Sequence, residues 1–440
     1  MSKKKLPETD KHLKTSFSDL VPPENGDKIT REQWKASILA GMASYLDAGS
    51  IVALGAGLAL FQNYLNLSNL AIGILAAVGP NAIGCAIGSV IGGRLGDKLG
   101  RKRIYQIDLL VYAAGILTIA LSVNAAMLFI GTFVVGVAVG ADIPTSLAFV
   151  GEAAPDKARG KLLGFTQVAW SAGPVVVLLM AMVLAPLDVL GIRIVFLHLL
   201  VISLITWYLR QSLAESVRWK EATQNTIKTT THRIRSLFSG WNLKGLAYTS
   251  TIYIFWGLAA GTVGIFQPYI INTLGAGSQA VSVGLTSSNF IITMIITATI
   301  FMPLSDRSFK TRKTLWGIGA VLQVAAWVLF IFLPFTIPVI ILNIILYATG
   351  ASLAGESFYK VFSQELFPTI LRGTAQGLTF GIARMILGIW SFFVPVVASL
   401  GIEHLAALLA IFITISGVVG FFFMPDTSGK SLEQIERERS

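Results

Sequence analysis

Residues 92–103 read GGRLGDKLGRKR, and residues 302–313 read MPLSDRSFKTRK. Each stretch closes a long apolar run, carries one aspartate (Asp97, Asp306) and ends in a basic cluster. Two further pairs repeat the relationship. GEAAPDKARG at 151–160 is matched by QELFPTILRG at 364–373, with a glutamate preceding Arg-Gly by the same step: Glu152 to Arg159, and Glu365 to Arg372. LAESVRW at 213–219 is answered by MPDTSGKSLE at 424–433. All three share an offset of roughly 210 residues, about half the chain, which marks two homologous halves in parallel orientation.

The 440 residues are 54% hydrophobic and only 13% charged, where a soluble domain carries about a quarter charged residues. A membrane span takes about 20 apolar residues. Apolar runs place twelve helices near 35–61, 69–92, 104–122, 126–151, 161–185, 192–210, 245–272, 279–304, 314–333, 337–364, 372–398 and 404–424. The expected fold is an all-α membrane protein, with twelve transmembrane helices in two pseudo-symmetric six-helix bundles at 35–210 and 244–424. A tail at 1–34, a linker with short helices at 211–243 and a tail at 425–440 complete the chain.

The loops that hold Arg94 to Arg103, Lys157 to Lys161, 210–244, Arg307 to Lys313 and Arg372 are basic, whereas the opposite loops near 62–68, 123–125, 273–278 and 334–336 have no Lys or Arg. This bias makes the basic side cytoplasmic, with both termini on it, in the cell (inner) membrane. It also accounts for the net charge of +11 without any nucleic acid. The N-terminus is polar and reads as no cleavable signal peptide. Cys85 is the single cysteine, so there is no disulfide framework. The four histidines, His12, His198, His232 and His404, have no metal-ligand spacing. No enzyme, metal or cofactor is expected.

The loop from Gly93 to Lys102 resembles the signature loop of the major facilitator superfamily, and AESVRW and PDTSGKSLEQIE are similar to motifs of its sugar porters. The resemblance implies a monomeric secondary transporter working by alternating access on a small polar solute, first a sugar, polyol or sugar acid, with the proton as coupling ion. Gly93, Asp97, Gly100, Arg101, Glu152, Arg159, Asp306, Glu365 and Arg372 then form a cytoplasmic gate. Asp97 is expected to accept from Arg101 and to lie against the N-terminus of helix 11. Glu152 with Arg159, and Glu365 with Arg372, are expected to link helix ends across each half.

Charges at bilayer depth mark function. Asp47 matches the helix 1 aspartate of proton-coupled sugar porters and is the expected proton carrier. The helix 4 arginine that accompanies it in those relatives is Thr132 here. Asp142 is expected to share the proton load. Glu356 and Lys360 lie on one helix face, and Arg384 is a second cation near the same depth. Gln167 matches the sugar porters' helix 5 glutamine, while Phe255, Trp256 and Gly261 replace their helix 7 amides. Gln167, Trp256, Glu356, Tyr359, Lys360, Arg384 and Trp390 are the expected substrate-binding residues. Gln323, Asn343 and Gln376 are among further amides in the spans. Lys360 and Arg384 keep a second reading open, a non-sugar organic anion; a uniporter without proton coupling is another.

Overall fold

The computed structural model describes residues 29–80, 82–224, 235–274, 276–277 and 279–439. The expected N-terminal tail up to residue 28, Asn81 and linker residues 225–234 lie outside the described residues. Helix α1 (Arg31–Leu65) starts on a capping box: the Thr30 hydroxyl accepts from the Gln33 amide, and the Gln33 side chain accepts from the Thr30 amide. It stops at Asn66, whose left-handed backbone (φ 50°) closes the last turn.

The expected helix 69–92 is two helices, α2 (Asn69–Val78) and α3 (Ile83–Leu99). Pro80 has no amide hydrogen and disfavours helical backbone at the residue before it; Gly79 accordingly lies at φ −84°, ψ −159°. The first half continues through α4 (Arg101–Ala120), α5 (Ala125–Ala153), α6 (Arg159–Val183) and α7 (Asp188–Arg210). Helix α8 (Val217–Gln224) lies in the linker.

The second half holds α9 (Gly240–Thr273), α10 (Gln279–Ile296), α11 (Phe309–Phe332), α12 (Ile337–Leu353), α13 (Glu356–Glu365), α14 (Arg372–Ser399) and α15 (Ile402–Phe422). Helix α16 (Leu432–Arg439) follows in the tail. Helix α10 runs on through a π turn at Thr297–Phe301. The expected helix 337–364 bends at Ala354 and Gly355, between α12 and α13.

Among the described residues, eleven helices are long and apolar enough to cross a membrane, α12 with α13 counting as one. The broken pair α2–α3 occupies the place of the expected second span. Val183, Phe332 and Phe423 are more than 70% exposed on the outside, while Asp47, Glu356, Lys360 and Arg384 are buried within. That inverts the pattern of a soluble protein and suits a lipid surround.

The halves meet where α3 packs on α14 and α6 packs on α10. The approach is close enough that a methyl group on Gly93 would strike the Gly373 carbonyl, and one on Gly377 the Ser89 carbonyl. Small residues are what permit such helix contacts in a membrane.

Candidate functional site

Two ion-pair networks join the halves on the side of the basic loops, and each is a copy of the other. In the first, Arg101 bonds Asp97 and, at 2.9 Å, Glu152. In the second, Arg312 reaches Asp306 at 3.3 Å and Glu365 at 2.8 Å. Each aspartate caps a helix of the opposite half. Asp97 accepts from Gly373 N (3.1 Å) and Thr374 N (2.6 Å) at the start of α14; Asp306 accepts from Gly160 N and Lys161 N (both 2.8 Å) at the start of α6. Carboxylates are favoured at helix N-termini by the free amides and the helix dipole. Burial pushes the Asp306 carboxyl above its ordinary range, and Arg312 with the two amides pulls it back.

The glutamates do not pair as expected. Glu152 binds Arg372, and Glu365 binds Arg159, each at 3.2 Å, so both ion pairs run between the halves rather than within them. The reason is positional: Arg159 and Arg372 open α6 and α14, which both pack on the other half. All four arginines of the two networks are buried. Gly93 belongs to the helix contact described above. Gly100 takes φ +99° between α3 and α4, a conformation that suits glycine.

The linker and tail motifs brace these networks. Glu215 accepts from the Arg101 and Lys102 amides at 3.0 and 3.1 Å. Arg218 bonds the Glu152 carbonyl (3.0 Å) and Glu433 (3.1 Å), and the Trp219 indole donates to the Asp97 carbonyl (2.9 Å). Thr427 donates to Glu365 at 2.6 Å. Arg312 is the member sequence reading passed over. Its match in register with Arg101 was the available signal.

Away from these networks, a cleft with a cavity volume of about 50 Å³ lies between the halves, lined by Ala48, Trp170 and Pro174 from one and by Tyr253, Trp256, Glu356, Arg384 and Leu387 from the other. Asp47 Oδ2 accepts from the Trp170 indole at 3.0 Å and lies 3.8 Å from Arg384 NH2. The arginine absent at Thr132 is thus replaced by one from the opposite half. Lys360 Nζ lies 3.8 Å from Glu356 and donates to Gln167 Oε1 at 2.7 Å, again from half to half. The four charges cancel in sign. Asp47 Oδ1 and Trp256 Nε1 are buried without hydrogen-bond partners in the protein.

Tyr359 stacks on Tyr253 (ring centres 3.9 Å apart) and its hydroxyl meets Thr379 at 2.8 Å, so it holds the wall rather than facing the cleft. Trp390 is not brought into the cleft: its indole donates to Thr262 at 2.9 Å and its ring meets Phe412. Gln323 and Asn343 bond the Ala354 and Ala326 carbonyls at 2.7 Å, and Gln376 bonds Gln364, so these amides tie helices together. Asp142 does not join Asp47. It binds Arg210 at 2.9 Å, in a cluster with Asp108, and neither Arg210 nor Asp108 was singled out from sequence.

A family model described as the Major Facilitator Superfamily matches residues 36–391. The chain is 42% identical over 423 residues to the minor myo-inositol transporter IolF of Bacillus subtilis (strain 168), covering 94% of this chain and 95% of that protein. It is 26% identical over 383 residues to the glucose transporter GlcP of Staphylococcus epidermidis, covering 77% and 82%. Among solved structures, the proton:xylose symporter XylE bound to 6-bromo-6-deoxy-D-glucose superposes with a TM-score of 0.78 at 21% identity, covering 93% of this chain and 99% of that one.

Proposed function

The chain belongs to the Major Facilitator Superfamily and is a multi-pass membrane transporter of small-molecule solutes; from that premise we propose that it carries a neutral cyclic polyol or sugar by alternating access, coupled to protons through Asp47. The observation that carries the reading is the charge balance of the cleft. Lys360 faces Glu356 and Arg384 faces Asp47, so no excess cation is left to select an anion. An organic anion would add a charge to a neutral, desolvated site, which is costly. A polyol needs only donors and acceptors, and Trp256 of the cleft wall has an Nε1–H without a hydrogen-bond partner in the protein. The 42% identical relative named as a myo-inositol transporter supports the polyol class.

The closed gate supports an outward-facing state in which solute and proton load from outside. Asp47, the expected carrier, is tied across the interface by Arg384. Its protonation removes the charge that holds Arg384, and so loosens one tether between the halves. The loop charges support cytoplasmic termini in the cell membrane, and two complete halves in one chain support a monomer. Thermal unfolding of the purified protein with myo-inositol, glucose, xylose, glucuronate and citrate tests the reading, since a ligand of the native state raises the midpoint. Neutral polyols or sugars are expected to raise it. A rise with the two anions alone would overturn it.

A further inference from the structure

Asp108 on α4 and Asp142 on α5 share one guanidinium. Arg210 NH1, at the end of α7, lies 2.9 Å from Asp142 Oδ2 and 3.7 Å from Asp108 Oδ1. All three side chains are at least nine-tenths buried. The rest of Arg210 is held by the Leu39 carbonyl (3.1 Å), the Tyr105 carbonyl (3.4 Å) and the face of the Tyr105 ring (3.8 Å). Ser146 donates to the other oxygen of Asp142. Asp108 Oδ2 is buried with no hydrogen-bond partner, beside a small cavity of about 10 Å³ that Asp108, Asp142, Leu46 and Tyr112 line.

Among the described residues, the surroundings supply no second base. Helix α1 offers the Leu39 carbonyl, Ala43 and Leu46; α4 offers the phenols Tyr105 and Tyr112; α5 offers Ser146; α7 offers Arg210. Among the described residues, Arg210 is the cation paired with either acid. Two carboxylates against one guanidinium leave one negative charge in excess at a depth where charge is costly. Two acids sharing a site resolve this by keeping a proton.

We propose that Asp108 and Asp142 hold one proton between them, which makes this cluster a proton-binding site of the N-terminal half separate from Asp47. One acid stays ionised against Arg210, and the other is neutral and donates its O–H to its neighbour. The site lies on the cytoplasmic side of Asp47. Tyr112 spans the gap, donating to the Leu46 carbonyl (3.2 Å) next to Asp47 while lining the cavity that reaches both acids. It is thus placed to take a proton leaving Asp47 for the cytoplasm. This role rests on the proton-coupled reading above; the proton's presence does not.

Infrared spectra of the full-length protein in lipid at neutral pH, with ¹³C-labelled aspartate, test the proposal. Asp47→Asn protein is expected to keep a protonated-carboxyl C=O band that shifts with the label. Asp108→Asn and Asp142→Asn are each expected to lose it, because one acid then faces one base. Absence of the band in Asp47→Asn, or its survival in both dyad variants, overturns the proposal. The Asp47→Asn sample leaves the cluster untouched, so the test stands even where a dyad variant fails to fold. Accumulation assays on Asp47→Asn read the coupling role separately, so either idea can fail alone.

Discussion

Arg372 NH1 reaches Glu152 Oε1 at 3.2 Å across the interface between the two halves. Its counterpart, Arg159 to Glu365, has the same length, so each glutamate is shared by an arginine of its own half and one of the other. A double-mutant cycle in thermal stability checks the crossing. Glu152→Gln with Arg372→Ala should couple by about 0.5–3 kcal/mol, whereas Glu152→Gln with Arg159→Ala should be additive within about 0.5 kcal/mol. The opposite ranking would restore pairing within each half.

Asp47→Asn is expected to abolish proton-driven accumulation in proteoliposomes while sparing solute counterflow. The amide keeps the shape and can still accept from Trp170, but it cannot cycle a proton. Accumulation that persisted in this variant would remove Asp47 as the obligatory carrier.

Arg384→Ala leaves the Asp47 carboxylate buried without its ion-pair partner. Breaking one side of a buried pair costs about 3–5 kcal/mol, so the thermal midpoint should fall clearly. Adding Asp47→Asn should recover much of that loss, because the orphaned charge is gone. Transport of neutral and anionic test solutes should fall alike. A selective loss of anions would revive the organic-anion reading.

Trp256→Phe removes the unpartnered Nε1–H but keeps a ring beside Tyr253. Solute affinity should weaken by about 0.5–1.5 kcal/mol, the usual value of one hydrogen bond. Unfolding without solute should change little. Unaltered affinity in a binding isotherm would show that this indole does not touch the solute.

The architecture was legible because membrane spans and the doubled motifs are local signals. Asp97, Glu152, Asp306 and Glu365 could be picked out by repetition alone. Their partners could not, because a repeat shows which residues correspond but not which of two equivalent arginines each acid meets. Only the packing of α6 and α14 on the opposite halves decides that. The broken second helix was written in Gly79-Pro80, but the apolar run across it outweighed two residues. Asp108 lies two turns into its span and Arg210 ends another, where a long cation ordinarily snorkels to water, and burial of both was a property of the assembled bundle. The Glu356–Lys360 pair was legible from its spacing, whereas Arg384 looked like a surplus cation because its counter-charge comes from the other half.

The reciprocal capping by Asp97 and Asp306 has a kinetic consequence. Each half grips the other's helix end through a symmetry-related clasp, so a rocking motion about the pseudo-twofold axis stretches both clasps together. Neither can let go first and leave its mate relaxed. Separation of the halves at this face is therefore expected to be a single concerted event, with no resting point at which one clasp is open and the other shut.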